Sequence, residues 1–306
     1  MTIAVEDEGR VVEGEREPRS GLRSRTPKRV AMPLSASDIA AQAVLRHPIP
    51  AVMYELLSLN ESVPGAMMAL PDVIRLDPDL EKRMRTVSRG PGPWADRTAH
   101  RSLEDGVNAV GFRRVHSAAL LITTVKALPI ETTAFDYLDF WRYSVAVAYI
   151  GTSLAYARRV EGREYAYAAG LFHDVGRLIM EEDDPQGLTI VRSIQMRGEI
   201  PWHEVERSAF GFTAYDLSVE MARAWRLPPL LVDAITGLVE RRREGLVGVL
   251  RDACLAARAL RFATQTGRRQ DLTVETADLI DRYYEGRDGL RLRVNSLLET
   301  SMIAPE

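Results

Sequence analysis

From about Ser35 onward, apolar residues recur at three- and four-residue intervals, the spacing of helices that turn one face inward. Ser37 is placed to cap a first helix carrying Ile39, Ala43 and Val44. His47-Pro48 and Ile49-Pro50 end it, because proline disfavours α geometry in the preceding residue. Val52, Leu56 and Leu59 continue the spacing, followed by Leu70, Val73 and Ile74. Asp77-Pro78 predicts a helix start, a capping carboxylate before a proline at the first helical position, with Leu80, Met84 and Val87 as its inward stripe. The glycines and prolines of RGPGPWADR (89–97) predict a loop. Ser102 with Asp105 resembles a capping box, and Val115, Ala119, Ile122 and Val125 form a further face stopped at Pro129. Asp136 opens a long helix through about Arg158, and a helix over Glu164–Met180 comes next. Further helices are predicted at 188–197, 201–208, 213–225, 228–240, 246–266 and 274–284, with a last one near 289–300. Neither an alternating strand pattern nor a fixed-period repeat is present, so the expected fold is an all-α globule.

Composition narrows this picture. The chain has 306 residues, 46% of them hydrophobic, enough for one large core or two modest ones. Residues 1–33 carry few large apolar groups and many Glu, Arg, Gly, Pro and Ser, and read as a disordered tail. Residues 34–245 read as the main helical domain, and 246–306 as additional helices of the same globule or a small appended bundle. A net charge of -3 favours neither a nucleic-acid partner nor a membrane surface, and the longest apolar stretch, near Val145–Ala157, is too short to span a bilayer. With one cysteine, Cys254, and no secretory signal, a cytoplasmic location is expected, and Cys254 reads as a small buried hydrophobe with no base evident nearby in the sequence.

The candidate chemistry lies in GLFHDVGRLIM, Gly170–Met180. His173 and Asp174 sit in an apolar helical pattern, and Gly170 and Gly176 would let neighbouring helices approach closely. A buried imidazole and carboxylate need partners, and a divalent metal ion taking both as ligands is one chemical solution. Walker-type loops, a Gly-x-Gly-x-x-Gly segment and Cys-x-x-Cys pairs are absent.

GLFHDVGRLIM resembles the signature of the HD superfamily of metal phosphohydrolases. More narrowly, the chain is similar to HDOD domains, the HD-related output domains of bacterial signalling proteins, from about residue 44 to 240. The resemblance is carried by the proline-bounded helix at His47–Leu59, DPDL at Asp77–Leu80, SLEDGVNAVGF at Ser102–Phe112, FWRYS at Phe140–Ser144, Glu206 with Phe210-Gly211, and Trp225-Arg-Leu-Pro228. It implies an all-α, HD/HDOD-like fold. It also locates departures: Tyr143 stands where a catalytic relative supplies a histidine, Ala214 lies at or near a second such place, and Ala234–Glu240 has no histidine pair. His173 and Asp174 remain as a residual metal motif, and Asp252 is the candidate for a late aspartate. A catalytic transition-metal site needs about three protein ligands and an open position.

The resulting expectation is a non-catalytic signalling module, a pseudoenzyme without a cofactor that works through a signalling-protein partner or through self-association. The imidazole would then donate to a backbone carbonyl or to Tyr143, and the carboxylate would cap a helix or pair with an arginine. Two alternatives stay open: a metal-dependent phosphohydrolase with a reduced ligand set, and a nucleotide sensor using the old pocket. His47, His100 and His116 read as structural or exposed, His203 as part of a solvated first turn, Trp141, Trp202 and Trp225 as packing residues, and Arg241–Arg243 as a solvated basic face.

Overall fold

A computed structural model describes residues 34–61, 63–87, 102–197, 200–260, 262 and 272–302, and every regular element among them is helical. The expected tail at 1–33, the loop at 89–97 and His100 lie outside the described residues. The chain runs through α1 (Ala36–Arg46), α2 (Ala51–Ser58), α3 (Ala66–Arg75), α4 (Pro78–Val87), α5 (Leu103–Val110), α6 (Phe112–Ala127) and α7 (Tyr137–Ala157). A 3-10 turn at Arg163–Tyr165 leads into α8 (Ala166–Phe172), α9 (Val175–Asp183), α10 (Pro185–Arg197), α11 (Trp202–Phe210), α12 (Ala214–Ala224) and α13 (Pro229–Val239). Three more helices follow: α14 (Gly245–Ala259), α15 (Val274–Tyr284) and α16 (Gly286–Met302). No described helix is long and apolar enough to cross a membrane.

Local chemistry sets the helix ends. The first cap is Ser35 rather than Ser37: its hydroxyl accepts from the Asp38 N–H, and the Asp38 carboxylate accepts from the Ser35 N–H. Asp77, Ser102 and Asp136 cap α4, α5 and α7 through their side-chain oxygens. Thr213 and Asp216 form a reciprocal box at the start of α12, with Thr213 Oγ1 accepting from the Asp216 N–H at 3.2 Å and Asp216 accepting from the Thr213 N–H at 2.8 Å. Thr213→Ala is therefore expected to cost about 1 kcal/mol in urea unfolding, and Thr213→Ser to restore most of it.

α7 is buried on nearly every side, as its almost continuous apolar sequence requires. It packs against α8 and α14, and also against α15 and α16. One hydrophobic cluster runs from Ile39 of α1 to Leu298 of α16. Trp225 ties the first helices to α12, donating from Nε1 to the His47 carbonyl at 2.9 Å while its own carbonyl accepts from Tyr54 OH at 2.7 Å.

The single helix expected over Glu164–Met180 is interrupted. α8 ends at Phe172 and α9 starts at Val175, so His173 and Asp174 occupy the break rather than a helix interior. Asp174 has φ −122° and ψ 14°, outside helical geometry. Close packing on both sides accompanies this break. A Cβ on Gly170 would lie 2.3 Å from Ala148 Cα, and one on Gly176 would lie 2.2 Å from the Ala214 carbonyl oxygen. The two glycines seat α8 against α7 and α9 against α12, and the Gly176 N–H donates to Ser218 Oγ at 2.8 Å.

Candidate functional site

His173 and Asp174 enter a fully buried polar cluster between α7, α11, α12 and α14. His173 Nδ1 lies 2.8 Å from the Gly170 carbonyl oxygen, which can only accept, so this nitrogen carries the proton. Nε2 points into the cluster with no hydrogen-bond partner among the described residues, as does the Tyr143 hydroxyl. Tyr143 and Tyr215 flank the imidazole at ring distances of 5.4 and 5.9 Å.

Asp174 is held by Arg177, one turn along. Arg177 Nε donates to Oδ2 at 2.9 Å and Nη2 to Oδ1 at 3.3 Å. The remaining Nη1 donates to Glu206 Oε1 at 2.9 Å. Glu206 also accepts from Gln195 Nε2 at 3.2 Å and, on Oε2, from the Ala214 N–H at 3.0 Å. Side-chain exposures of 3% for Arg177, 5% for Asp174 and 0% for Glu206 make this a buried carboxylate–guanidinium–carboxylate triad with its hydrogen bonds satisfied.

Asp252 does not join the site. Its carboxylate pairs with Arg158 Nη1 at 2.7 Å, on a guanidinium shared with Glu275. His173, Asp174 and Asp252 do not converge as a metal-holding group. The α14 side chain beside His173 is Cys254, two residues on, where the helix has turned by about 200°. Arg258 follows one turn later. Its Nη2 donates to Tyr215 OH at 3.0 Å, and its guanidinium lies 5.8 Å from the Tyr143 ring centre and 5.6 Å from that of Trp202.

These residues do not fit a catalytic metal ion. Both Asp174 oxygens are engaged by a guanidinium, Arg258 brings a second fixed positive charge to the same cluster, and Tyr143 offers a phenol where the resemblance expects an imidazole. A cation placed beside His173 would face two arginines with no free carboxylate to offset them.

Cys254 is the chain's single cysteine and lines a cavity of about 610 Å³. Burial raises its pKa, but the His173 imidazole and the Arg258 guanidinium outweigh burial and hold the thiol below its ordinary value. Burial likewise acts against a charged His173, and the thiol brings it back above its ordinary value. Thiolate should therefore persist to lower pH than in a free cysteine. Alkylation of the native protein by iodoacetamide is expected to have its pH midpoint below about 8.5, and His173→Gln to move the midpoint upward.

The same cavity is lined by Trp202, His203, Arg207, Tyr215, Arg241, Arg251 and Arg258, with Leu238, Val239 and Leu255 as apolar wall. His203 Nε2 sits 2.6 Å from Arg241 Nη2; His203 is half-buried, and Arg241, Arg242 and Arg243 are exposed. His47 and His116 are structural, on Glu182 at 3.0 Å and on the Leu56 carbonyl at 2.6 Å. Cys254, Tyr215 and Arg258 were not legible as site residues. The available signal was Arg251, Cys254 and Arg258 at helical spacing in RDACLAAR.

Comparison with known proteins accords with this geometry. The HDOD domain family model matches residues 47–238. An HDOD domain protein from Geobacter sulfurreducens has a similar structure, with a TM-score of 0.62 at 18% identity, covering 87% of this chain and 94% of that one. A candidate signal-transduction protein from Marinobacter aquaeolei has a TM-score of 0.65 at 21% identity, covering 87% of this chain and 65% of that one. A candidate phosphohydrolase from Shewanella amazonensis has a TM-score of 0.59 at 21% identity, covering 86% of this chain and 97% of that one. At these identities the likeness speaks to fold alone. An uncharacterised protein of Treponema pallidum is 21% identical over 228 residues, 72% of this chain, and the match spans only 43% of that curated relative's length. The helical fold, the His173-Asp174 pair at its break and the family match over residues 47–238 together establish that the chain belongs to the HDOD family.

Proposed function

We propose that the protein is a non-catalytic regulatory module of the HDOD family that acts through protein contacts. The carrying observation is the Asp174–Arg177–Glu206 triad, which consumes the carboxylate that a hydrolytic metal would require. Output through contacts has support in exposed apolar side chains on α3, where Met67 and Met68 are 46% and 82% exposed. The partner is a signalling protein or a second copy of the chain.

The test uses the full chain purified without chelators. Elemental analysis is expected to find no stoichiometric Mn, Fe or Zn. Phosphoester, nucleotide and cyclic dinucleotide substrates are expected to stay intact with those metals added. Stoichiometric metal that disappears in His173→Ala, together with hydrolysis, would refute the reading. Affinity purification from the native cell then identifies the partner.

The arginine-lined cavity favours a second reading that is compatible with the first: a ligand bound there, without turnover, sets the module's state.

A further inference from the structure

The cavity collects cations without anions. Arg207, Arg241, Arg251 and Arg258 line it, and none of its described lining residues is an aspartate or glutamate. Elsewhere Arg46, Arg113, Arg158, Arg177, Arg223 and Arg242 each pair with a carboxylate. Within the cavity only Arg207 does so, with Asp216 at 3.0 Å. Arg241 lies against His203. Arg251 has no ion-pair or hydrogen-bond partner among the described residues. Among the described residues Arg258 donates only to the neutral Tyr215 hydroxyl, and its guanidinium lies over two aromatic rings. A guanidinium carries five donors and gains most from a planar or tetrahedral oxyanion.

Helical spacing turns this into a geometry. Arg251 and Arg258 lie seven residues apart on α14, two turns along one face, with Cys254 and Leu255 between them. Three arginines without carboxylate partners exceed what a monoanion can balance, whereas a phosphate monoester brings close to two negative charges and matches the guanidinium fork. The volume of about 610 Å³ is far larger than a bare phosphate needs and falls in the range of organic-ligand sites. Leu238, Val239 and Leu255 give the non-phosphate part an apolar wall.

We propose that this cavity binds a small organic phosphate monoester of mononucleotide size, its phosphate between Arg251 and Arg258 and its remainder against Leu238, Val239 and Leu255. The proposal rests on the ligand-sensing reading and names its ligand class.

The experiment titrates the full chain, at constant ionic strength, with inorganic phosphate, pyrophosphate, AMP and GMP, and with adenosine and guanosine as phosphate-free counterparts. Calorimetry is expected to show a nucleoside monophosphate binding more tightly than inorganic phosphate, and no binding of either nucleoside. Arg251→Gln and Arg258→Gln should each weaken binding about tenfold or more, since a charge-assisted contact is lost. Arg242→Gln, whose guanidinium is engaged by Asp233 and Glu240, should leave it unchanged. Arg251 is partly exposed, so its replacement keeps the test valid if Arg258→Gln disturbs folding. Absence of binding by every phosphate compound at millimolar concentration overturns the proposal. So does binding that survives in the Arg251 variant, or equal binding of nucleosides. Release of phosphate from a bound nucleotide would refute the non-catalytic reading while leaving the site standing. Absence of binding removes the sensing role and leaves the non-catalytic reading intact.

Discussion

Arg177→Met is expected to lower the free energy of unfolding by about 3–5 kcal/mol, because it leaves two buried carboxylates without their shared counter-charge. Asp174 and Glu206 are 5% and 0% exposed, so neither can recover its hydration without opening the cluster. Urea denaturation of the variant against the wild type measures the loss. The triple replacement of Arg177 by Met, Asp174 by Asn and Glu206 by Gln should regain much of it, since no uncompensated charge remains. A single-variant loss below about 1 kcal/mol would mean that water reaches the triad, which is the range of exposed pairs. The stability result also bears on function: a carboxylate that holds an arginine so firmly is not available to an incoming cation.

Gly170→Ala should destabilise the fold by at least the upper part of the about 1–3 kcal/mol typical of overpacking. The added Cβ would meet Ala148 Cα at 2.3 Å and Ala148 N at 2.4 Å, and backbone atoms in the middle of a buried helix cannot rotate away. α7 and α8 would have to separate, shifting Tyr143 relative to His173. Thermal unfolding detects the loss, and a changed alkylation rate of Cys254 detects the shift. Gly106→Ala is the matched control: its Cβ would meet nothing within 4 Å and it lies inside α5, so the change should be stabilising by about 0.4–1 kcal/mol. Equal behaviour of the two variants would show that the α7–α8 approach is looser than described.

The helices were readable because each buries one stripe, and a stripe leaves a period in the sequence. The interruption at His173 and Asp174 was not, because the surrounding residues keep the helical apolar pattern and the break accompanies packing against α7 and α12. His173 and Asp174 both lie in the buried cluster, and the alternative of a carboxylate paired with an arginine matches Arg177. The pairing partner Glu206, 29 residues further on, is fixed by tertiary structure and leaves no local signature. Asp252, the candidate late aspartate, faces Arg158 because of its phase on α14. Residue type suggested the aspartate, while the direction in which α14 faces His173 selected the thiol. The expectation that Cys254 lacks a base held only along the chain, since His173 reaches it across the fold.

α16 has a consequence for the order in which the molecule is made. Leu290, Val294, Leu297 and Leu298 are fully buried, and the helix packs on α4, α6 and α7, all synthesised long before it. On the ribosome, the central helix therefore emerges without the last segment that will cover it, and its apolar flank stays open until Gly286–Met302 has left the exit tunnel. Contacts this distant in sequence close slowly, and an open apolar flank invites association in the interval. A stop codon before α16 would leave that apolar flank permanently uncovered.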